Sequence, residues 1–149
     1  MIVIESSAMV DALVDEPANP QLLALLADEE LHAPALLDFE VASALRGHAL
    51  AGKLDQLRLD EAIEDFSALR IERHQMTDLL GHILDLRDNF TVYDATYVVL
   101  AQALEAPLVT ADVKMNAAKR VGVDVRVLTV ERHEAEAGSG SGPGDQAEL

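Results

Sequence analysis

The feature that most constrains this chain is its alternation of short apolar runs with longer stretches of helical periodicity. Ile2-Val3-Ile4 reads as a buried strand, and Ser6 or Ser7 opens a helix running to about residue 14. Asn19 and Pro20 start a second helix, with Leu22, Leu23, Leu25 and Leu26 on its apolar side. Leu31-His32-Ala33 is a short strand closed by Pro34. Residues 35–52 carry a strong helix with Leu36, Val41, Ala44 and Leu45 on one side and Gly52 at its C-terminus. A further helical pattern covers residues 54–66, and Leu69-Arg70-Ile71 is read as a third strand. Two more helices follow at 76–87 and 93–104, then strands at 107–110 and 123–128. Strands separated by helices pair in parallel, because a tight hairpin cannot join parallel neighbours. The expected class is therefore α/β, a three-layer α/β/α sandwich around a central parallel sheet.

A chain of 149 residues, half of them apolar, has enough material for one domain with a buried core. Aromatic residues make up only 3%, so that core must be built from Leu, Val, Ile and Ala. The absence of cysteine excludes disulfides and thiolate metal sites and suits a cytoplasmic protein. Met1-Ile2-Val3-Ile4-Glu5 lacks the basic start of a secretory signal, and no uncharged apolar run approaches the ~18 residues of a membrane span. The segment 131–149 differs in character from the rest. It contains Gly138-Ser139-Gly140-Ser141-Gly142-Pro143-Gly144 and is expected to be a disordered acidic tail appended to a domain spanning 1–130. That tail carries five acids and one base, so of the total charge of −16 the body keeps −12. Such acidity is unusual for a protein that binds a polyanion, unless divalent ions and a local basic patch offset it.

Ligand sites in open parallel sheets collect at the carboxyl ends of the strands. Glu5 follows the first strand directly, and Asp112 lies two residues past Thr110, at the end of the fourth. Glu40 and Asp94 fall in the first turns of helices. An isolated acid there commonly serves the helix macrodipole. Here each sits among apolar neighbours, in Leu37-Asp38-Phe39-Glu40-Val41-Ala42 and Val92-Tyr93-Asp94-Ala95-Thr96-Tyr97, which predicts partial shielding from water. Several shielded carboxylates placed together imply a cation, and oxygen ligands favour Mg²⁺ or Mn²⁺.

These segments resemble the PIN domain, specifically the VapC-type toxin ribonucleases of bacterial toxin–antitoxin pairs. The likeness runs from Met1 to about Val130 and is carried by four blocks in order. They are Ile2-Val3-Ile4-Glu5-Ser6-Ser7-Ala8, then His32-Ala33-Pro34 with Glu40-Val41-Ala42-Ser43-Ala44-Leu45, then Leu86-Arg87 with residues 91–97, and finally Leu108-Val109-Thr110-Ala111-Asp112. The resemblance implies a PIN-like fold and metal-dependent hydrolysis of RNA phosphodiesters, with Glu5, Glu40, Asp94 and Asp112 as catalytic and metal-binding acids. It further implies Ser7 and Thr110 as polar supports, a homodimer, and a VapB-like antitoxin as partner. Glu5 is the departure, since the family usually carries Asp there. The extra methylene moves the carboxylate outward by one bond and raises an alternative, a PIN-like protein that binds without cutting.

Lys114, Lys119 and Arg120 follow Asp112 closely and are candidates for phosphate contacts, as is Arg87. Asp38 is two positions from Glu40 and should point away from it on a helix. Asp60, Glu61, Glu64 and Asp65 read as a solvated helix face. The five histidines show no His-x-x-x-His spacing and are read as surface or packing residues. A phospho-receiver-like signalling domain would also be acidic, α/β and Mg²⁺-binding. It needs a phosphoacceptor Asp after a central apolar strand, whereas residues 49–66 form a charged helical stretch.

Overall fold

The computed structural model describes residues 1–129, and the tail expected at 131–149 lies outside the described residues. Five strands, β1 (Ile2–Ile4), β2 (Leu31–Pro34), β3 (Ile71–His74), β4 (Leu108–Thr110) and β5 (Val125–Val127), form one sheet in the order β3-β2-β1-β4-β5. Every neighbouring pair is parallel. The helices are α1 (Ser6–Val14), α2 (Pro20–Asp28), α3 (Leu37–Leu50), α4 (Gln56–Ala68), α5 (Leu80–Asp85) and α6 (Val92–Leu104). Two 3₁₀ segments join them, Thr77–Leu79 and Val113–Val121.

The central strand is apolar throughout because both its faces are covered. Ile2 and Ile4 pack with Leu31, Ala33 and Ile71 under α1–α4, where Met9, Leu22, Leu37 and Val41 complete one core. On the opposite face Val3, Leu108 and Val125 meet Tyr97, Val98 and Leu100 of α6 and Met115 of the second 3₁₀ segment. This is the expected three-layer sandwich. The Asn19 side chain accepts from the Gln21 and Leu22 amides, as a helix start at Asn-Pro requires.

Two local expectations are corrected. The third strand is Ile71–His74, not Leu69-Arg70-Ile71; Leu69 ends α4 and packs its side chain into the core. Only Ile71 is buried in this strand, so Ile-Glu-Arg-His offers no apolar pattern by which to place it. The helix expected at 76–87 is divided into a 3₁₀ turn and the six-residue α5. The 3₁₀ segment after β4 has no counterpart in the sequence reading. A receiver domain would show the order 2-1-3-4-5, so the observed order removes that alternative.

The topology also says where a ligand belongs. From β1 the chain builds outward to β2 and β3 on one side, then returns to place β4 and β5 on the other. The connections therefore diverge between β1 and β4, and a crevice opens at the carboxyl ends of these two strands.

Candidate active site

Residue 5 is held at that crevice by the sheet itself. Its amide donates to the Val109 carbonyl at 2.9 Å, continuing the β1–β4 pairing one step beyond the strand, and its carbonyl receives the first amides of α1. The Glu5 side chain is buried and three hydroxyls surround it. Thr110 Oγ1 donates to Oε1 at 2.6 Å, Ser7 Oγ donates to the same oxygen, and Ser6 Oγ donates to Oε2 at 3.0 Å. Ser7 Oγ accepts from the Ala111 amide at 2.9 Å and Thr110 Oγ1 from the Asp112 amide at 3.0 Å. The Ser7 and Thr110 hydroxyls thus each point their one proton at the carboxylate while their lone pairs hold the loop after β4. Oε1 is saturated by two donors, which leaves Oε2 as the oxygen with capacity to spare.

Asp112 caps the 3₁₀ segment, accepting from the Lys114 amide at 3.1 Å. Asp94 lies in the first turn of α6, whose N-cap Thr91 accepts from the Asp94 amide. Burial raises the Asp94 carboxyl above its ordinary pKa; the Lys114 ammonium opposes this, and the charges of Glu5 and Asp112 add to it. The Lys114 ammonium stands 3.7 Å from Asp94 and 3.6 Å from Asp112, and its own pKa is raised by Asp94 first and Asp112 second. Lys114 is 67% exposed, so it is a mobile counterion and not a fixed one.

Glu40 Oε1 accepts from the Tyr97 hydroxyl at 2.7 Å. Tyr97 is buried in α6, one helical turn after Asp94 on the same face. Burial, then the hydrogen bond to Glu40 and its charge, raise the phenol well above its ordinary pKa, so it stays a protonated donor. In the sequence Tyr97 reads only as an apolar neighbour; its i+3 relation to Asp94 is the available signal. Replacing it with Phe keeps the ring's volume but releases Glu40. Tyr97→Phe is expected to lower RNA cleavage by about tenfold through loss of positioning. Stability should fall by about 1 kcal/mol in urea denaturation. An unchanged cleavage rate would remove Tyr97 from the site.

The structure therefore brings Glu5, Asp94 and Asp112 into mutual electrostatic range, with Ser7, Thr110 and Lys114 among them, and Glu40 joined through Tyr97. The Arg87 guanidinium is exposed and donates to the Leu84 carbonyl. Asp38 is engaged by Arg73 at 2.9 Å and 3.0 Å. Glu40 and Asp94 are both partly shielded from water, as expected, but not by their immediate neighbours. Phe39 and Tyr93, adjacent to Glu40 and Asp94, are 74% and 61% exposed, because neighbours in a helix do not share a face.

The donor set is all carboxylate oxygen, which fits a hard divalent cation. Among the described residues, the grouping whose ligand atoms all lie within 4.8 Å of one another is a different one, Glu30, His32 and Glu72. The separation of the acids at the crevice suits an ion that keeps several of its waters, as Mg²⁺ does.

Residues 2–121 match the model of the PIN domain. The VapC ribonuclease Mb0985 of Mycobacterium bovis is 38% identical over 116 residues, covering 78% of this chain and 89% of that protein. Ribonuclease VapC1 of Mycobacterium tuberculosis is 34% identical over 128 residues, covering 85% and 96%. The crystal structure of PAE2754 from Pyrobaculum aerophilum superposes with a TM-score of 0.60 at 20% identity, covering 83% of this chain and 87% of that one, which shows a shared fold. The chain belongs to the PIN-domain family, among its VapC ribonucleases.

Proposed function

We propose that this chain is the toxin of a toxin–antitoxin pair, an endoribonuclease that hydrolyses RNA phosphodiesters with Mg²⁺ or Mn²⁺ held by Glu5, Glu40, Asp94 and Asp112. The observation that carries the reading is the convergence of Glu5, Asp94 and Asp112 on the crevice between β1 and β4, where burial and mutual charge raise Asp94. A bound divalent ion supplies positive charge to offset what develops on the phosphoryl and leaving oxygens. The protein's own contribution is positioning. Ser6, Ser7 and Thr110 fix the Glu5 carboxylate, Tyr97 fixes Glu40, the Thr91 hydroxyl caps the helix start at Asp94, and the Lys114 amide holds the Asp112 carboxylate. Lys114, with the exposed Lys119 and Arg120 further along the same segment, places cationic charge where an RNA phosphate would approach.

The longer side chain of Glu5 favours an alternative in which the site binds but does not cut. The test is cleavage of single-stranded and structured RNA by the full chain in Mg²⁺, Mn²⁺ or chelator. We expect cleavage with either ion and none with chelator. Metal-independent cleavage would overturn the reading, and RNA binding without cleavage would establish the alternative.

The partners belong to the same proposal. Phe39, Val92, Tyr93 and Val113 are exposed beside Glu40, Asp94 and Asp112, a mixture of apolar and acidic surface that suits a VapB-like antitoxin segment carrying both apolar and basic side chains. Exposed Leu50, Leu57 and Ile63 on α3 and α4 supply apolar surface for a homodimer. No helix among the described residues is long and apolar enough to cross a membrane. We place the protein in the cytoplasm with its RNA substrate. Association with the antitoxin from the adjacent gene is expected to weaken by on the order of tenfold as salt rises from low to several hundred millimolar, because screening removes the attraction between acid and base. Calorimetric titration across a salt series checks this, and salt-independent affinity would oppose it.

A further inference from the structure

A second group of ligating side chains lies toward the amino ends of the strands, away from the crevice. His32, on β2, is 5% exposed. Its Nδ1 lies 2.8 Å from His74 Nε2, and the two rings stack with centroids 5.1 Å apart. Its Nε2 is buried with no hydrogen-bond partner and points at Glu30 Oε1, 3.4 Å away. Glu72 is the register partner of His32 on the edge strand β3, so both side chains project from the same face of the sheet. The ligand atoms of Glu30, His32 and Glu72 all lie within 4.8 Å of one another. Neither acid forms an ion pair with Lys or Arg among the described residues.

We propose that Glu30, His32 and Glu72 form a binding site for a borderline divalent cation of the Zn²⁺ class, separate from the catalytic acids. Three observations carry it. A buried imidazole nitrogen without a partner is costly unless something satisfies it, and here two carboxylates are gathered in front of it. The 3.4 Å between His32 Nε2 and Glu30 Oε1 matches the roughly 3.4 Å that separates two ligands about 2.1 Å from a tetrahedral ion. The other ring nitrogen is placed for the supporting bond that metal-binding histidines make: His74 Nε2 lies 2.8 Å from His32 Nδ1, and the tautomer in which Nδ1–H donates to it is the one whose Nε2 lone pair faces the acids. Imidazole nitrogen with two carboxylates selects Zn²⁺ over Mg²⁺, whereas the all-oxygen catalytic site does not. One histidine and two carboxylates supply three ligands and leave a fourth position to water. Because Glu30 and His32 flank the start of β2 and Glu72 sits on β3, the bound ion ties the edge strand to the sheet.

The test uses the full chain in millimolar Mg²⁺ with Zn²⁺ as the probe, and reads the histidine ring nitrogens by long-range ¹H–¹⁵N correlation. Zn²⁺ is expected to shift the His32 Nε2 resonance in the unmodified protein and in Asp94→Asn. The Glu30→Gln/Glu72→Gln double variant changes only exposed side chains, so it tests the site without the folding risk of replacing buried His32. There the Zn²⁺ affinity at His32 should fall by about tenfold or more. The rise of several degrees in melting temperature that Zn²⁺ gives the unmodified protein should disappear as well. Mg²⁺-dependent RNA cleavage by the double variant should be unchanged. A His32 resonance that does not respond to Zn²⁺, or a double variant that binds Zn²⁺ as tightly as the unmodified chain, overturns the proposal.

Discussion

Asp94→Asn is expected to abolish RNA cleavage while making the metal-free protein more stable. Cleavage should drop by at least about a hundredfold, since a site whose ion is displaced by even ~1 Å loses that much. The stability gain follows from the sign of the Asp94 shift. Burial raises its carboxyl above the unfolded value of 3.8, so the native state holds the proton more tightly than the unfolded chain does. That contribution is fully present below the unfolded pKa and is lost as pH rises through the folded one. At neutral pH the ionised carboxylate is therefore a burden that Asn removes. The Lys114 contact is lost too, but that ammonium is largely in water and contributes little. Thermal melts in chelator should show a higher midpoint for Asp94→Asn at pH 7, and the difference should vanish in strong acid. Adding Mg²⁺ should stabilise the unmodified protein and leave the variant unmoved. A variant that is less stable without metal, yet binds Mg²⁺ normally, would remove Asp94 from the ion's environment.

Glu5 carries the second large effect. Glu5→Ala removes the acceptor at the centre of the hydroxyl cluster and is expected to reduce cleavage to background. Glu5→Asp tests whether the site has been rebuilt around the longer side chain. Shortening it draws the carboxylate back by about 1.5 Å. Ser6 and Ser7 adjoin residue 5 and can follow, but Thr110 sits on β4 with its own Oγ1 holding the Asp112 amide. The Thr110 bond should therefore be lost, leaving the Asp112 loop tied to the residue 5 side chain only through Ser7, whose Oγ accepts from the Ala111 amide. Cleavage by Glu5→Asp should fall by about tenfold or more, with an altered ratio of Mg²⁺- to Mn²⁺-supported rates. Steady-state cleavage in each metal decides it. Rates and metal dependence that match the unmodified protein in both variants would show that residue 5 takes no part.

Much of this architecture could be read from the residues. Ile2-Val3-Ile4 lies between two cores, so its apolar run had to be a strand covered on both faces, and Asn19-Pro20 has a local hydrogen-bonding reason to begin a helix. Glu5, Asp94 and Asp112 could be placed at one edge because each follows a strand end or opens a helix, positions that the parallel topology brings together. What stayed hidden depends on contacts distant in sequence. β3 carries one buried residue in four, and its apolar signal falls two residues before the strand begins, so the His32–Glu72 pairing is not visible in the sequence. Histidines judged by their spacing along the chain looked unremarkable, since two of the three ligating residues meet only through strand register. The Tyr97–Glu40 bond links α6 to α3 across 57 positions, and a phenol on a buried face reads as packing until its partner is located. The 3₁₀ segment at Val113–Val121 is held by the cap at Asp112 and by Met115 and Ala118 packed into the second core, contacts that its nine residues do not announce by themselves.

The two rims of the sheet bear on how such a protein assembles. β3 presents Glu72 and Arg73 to solvent, and β5 is only three residues long with exposed Arg126 at its centre. Strands this short and charged offer little backbone for another chain to extend. Fibrous growth by strand addition is thereby discouraged in a molecule whose middle strands are almost wholly aliphatic. The exposed apolar side chains Phe39, Leu50, Leu57, Ile63 and Tyr93 lie instead on α3, α4 and α6, so the surface open to apolar contact is helical and not the edges of the sheet.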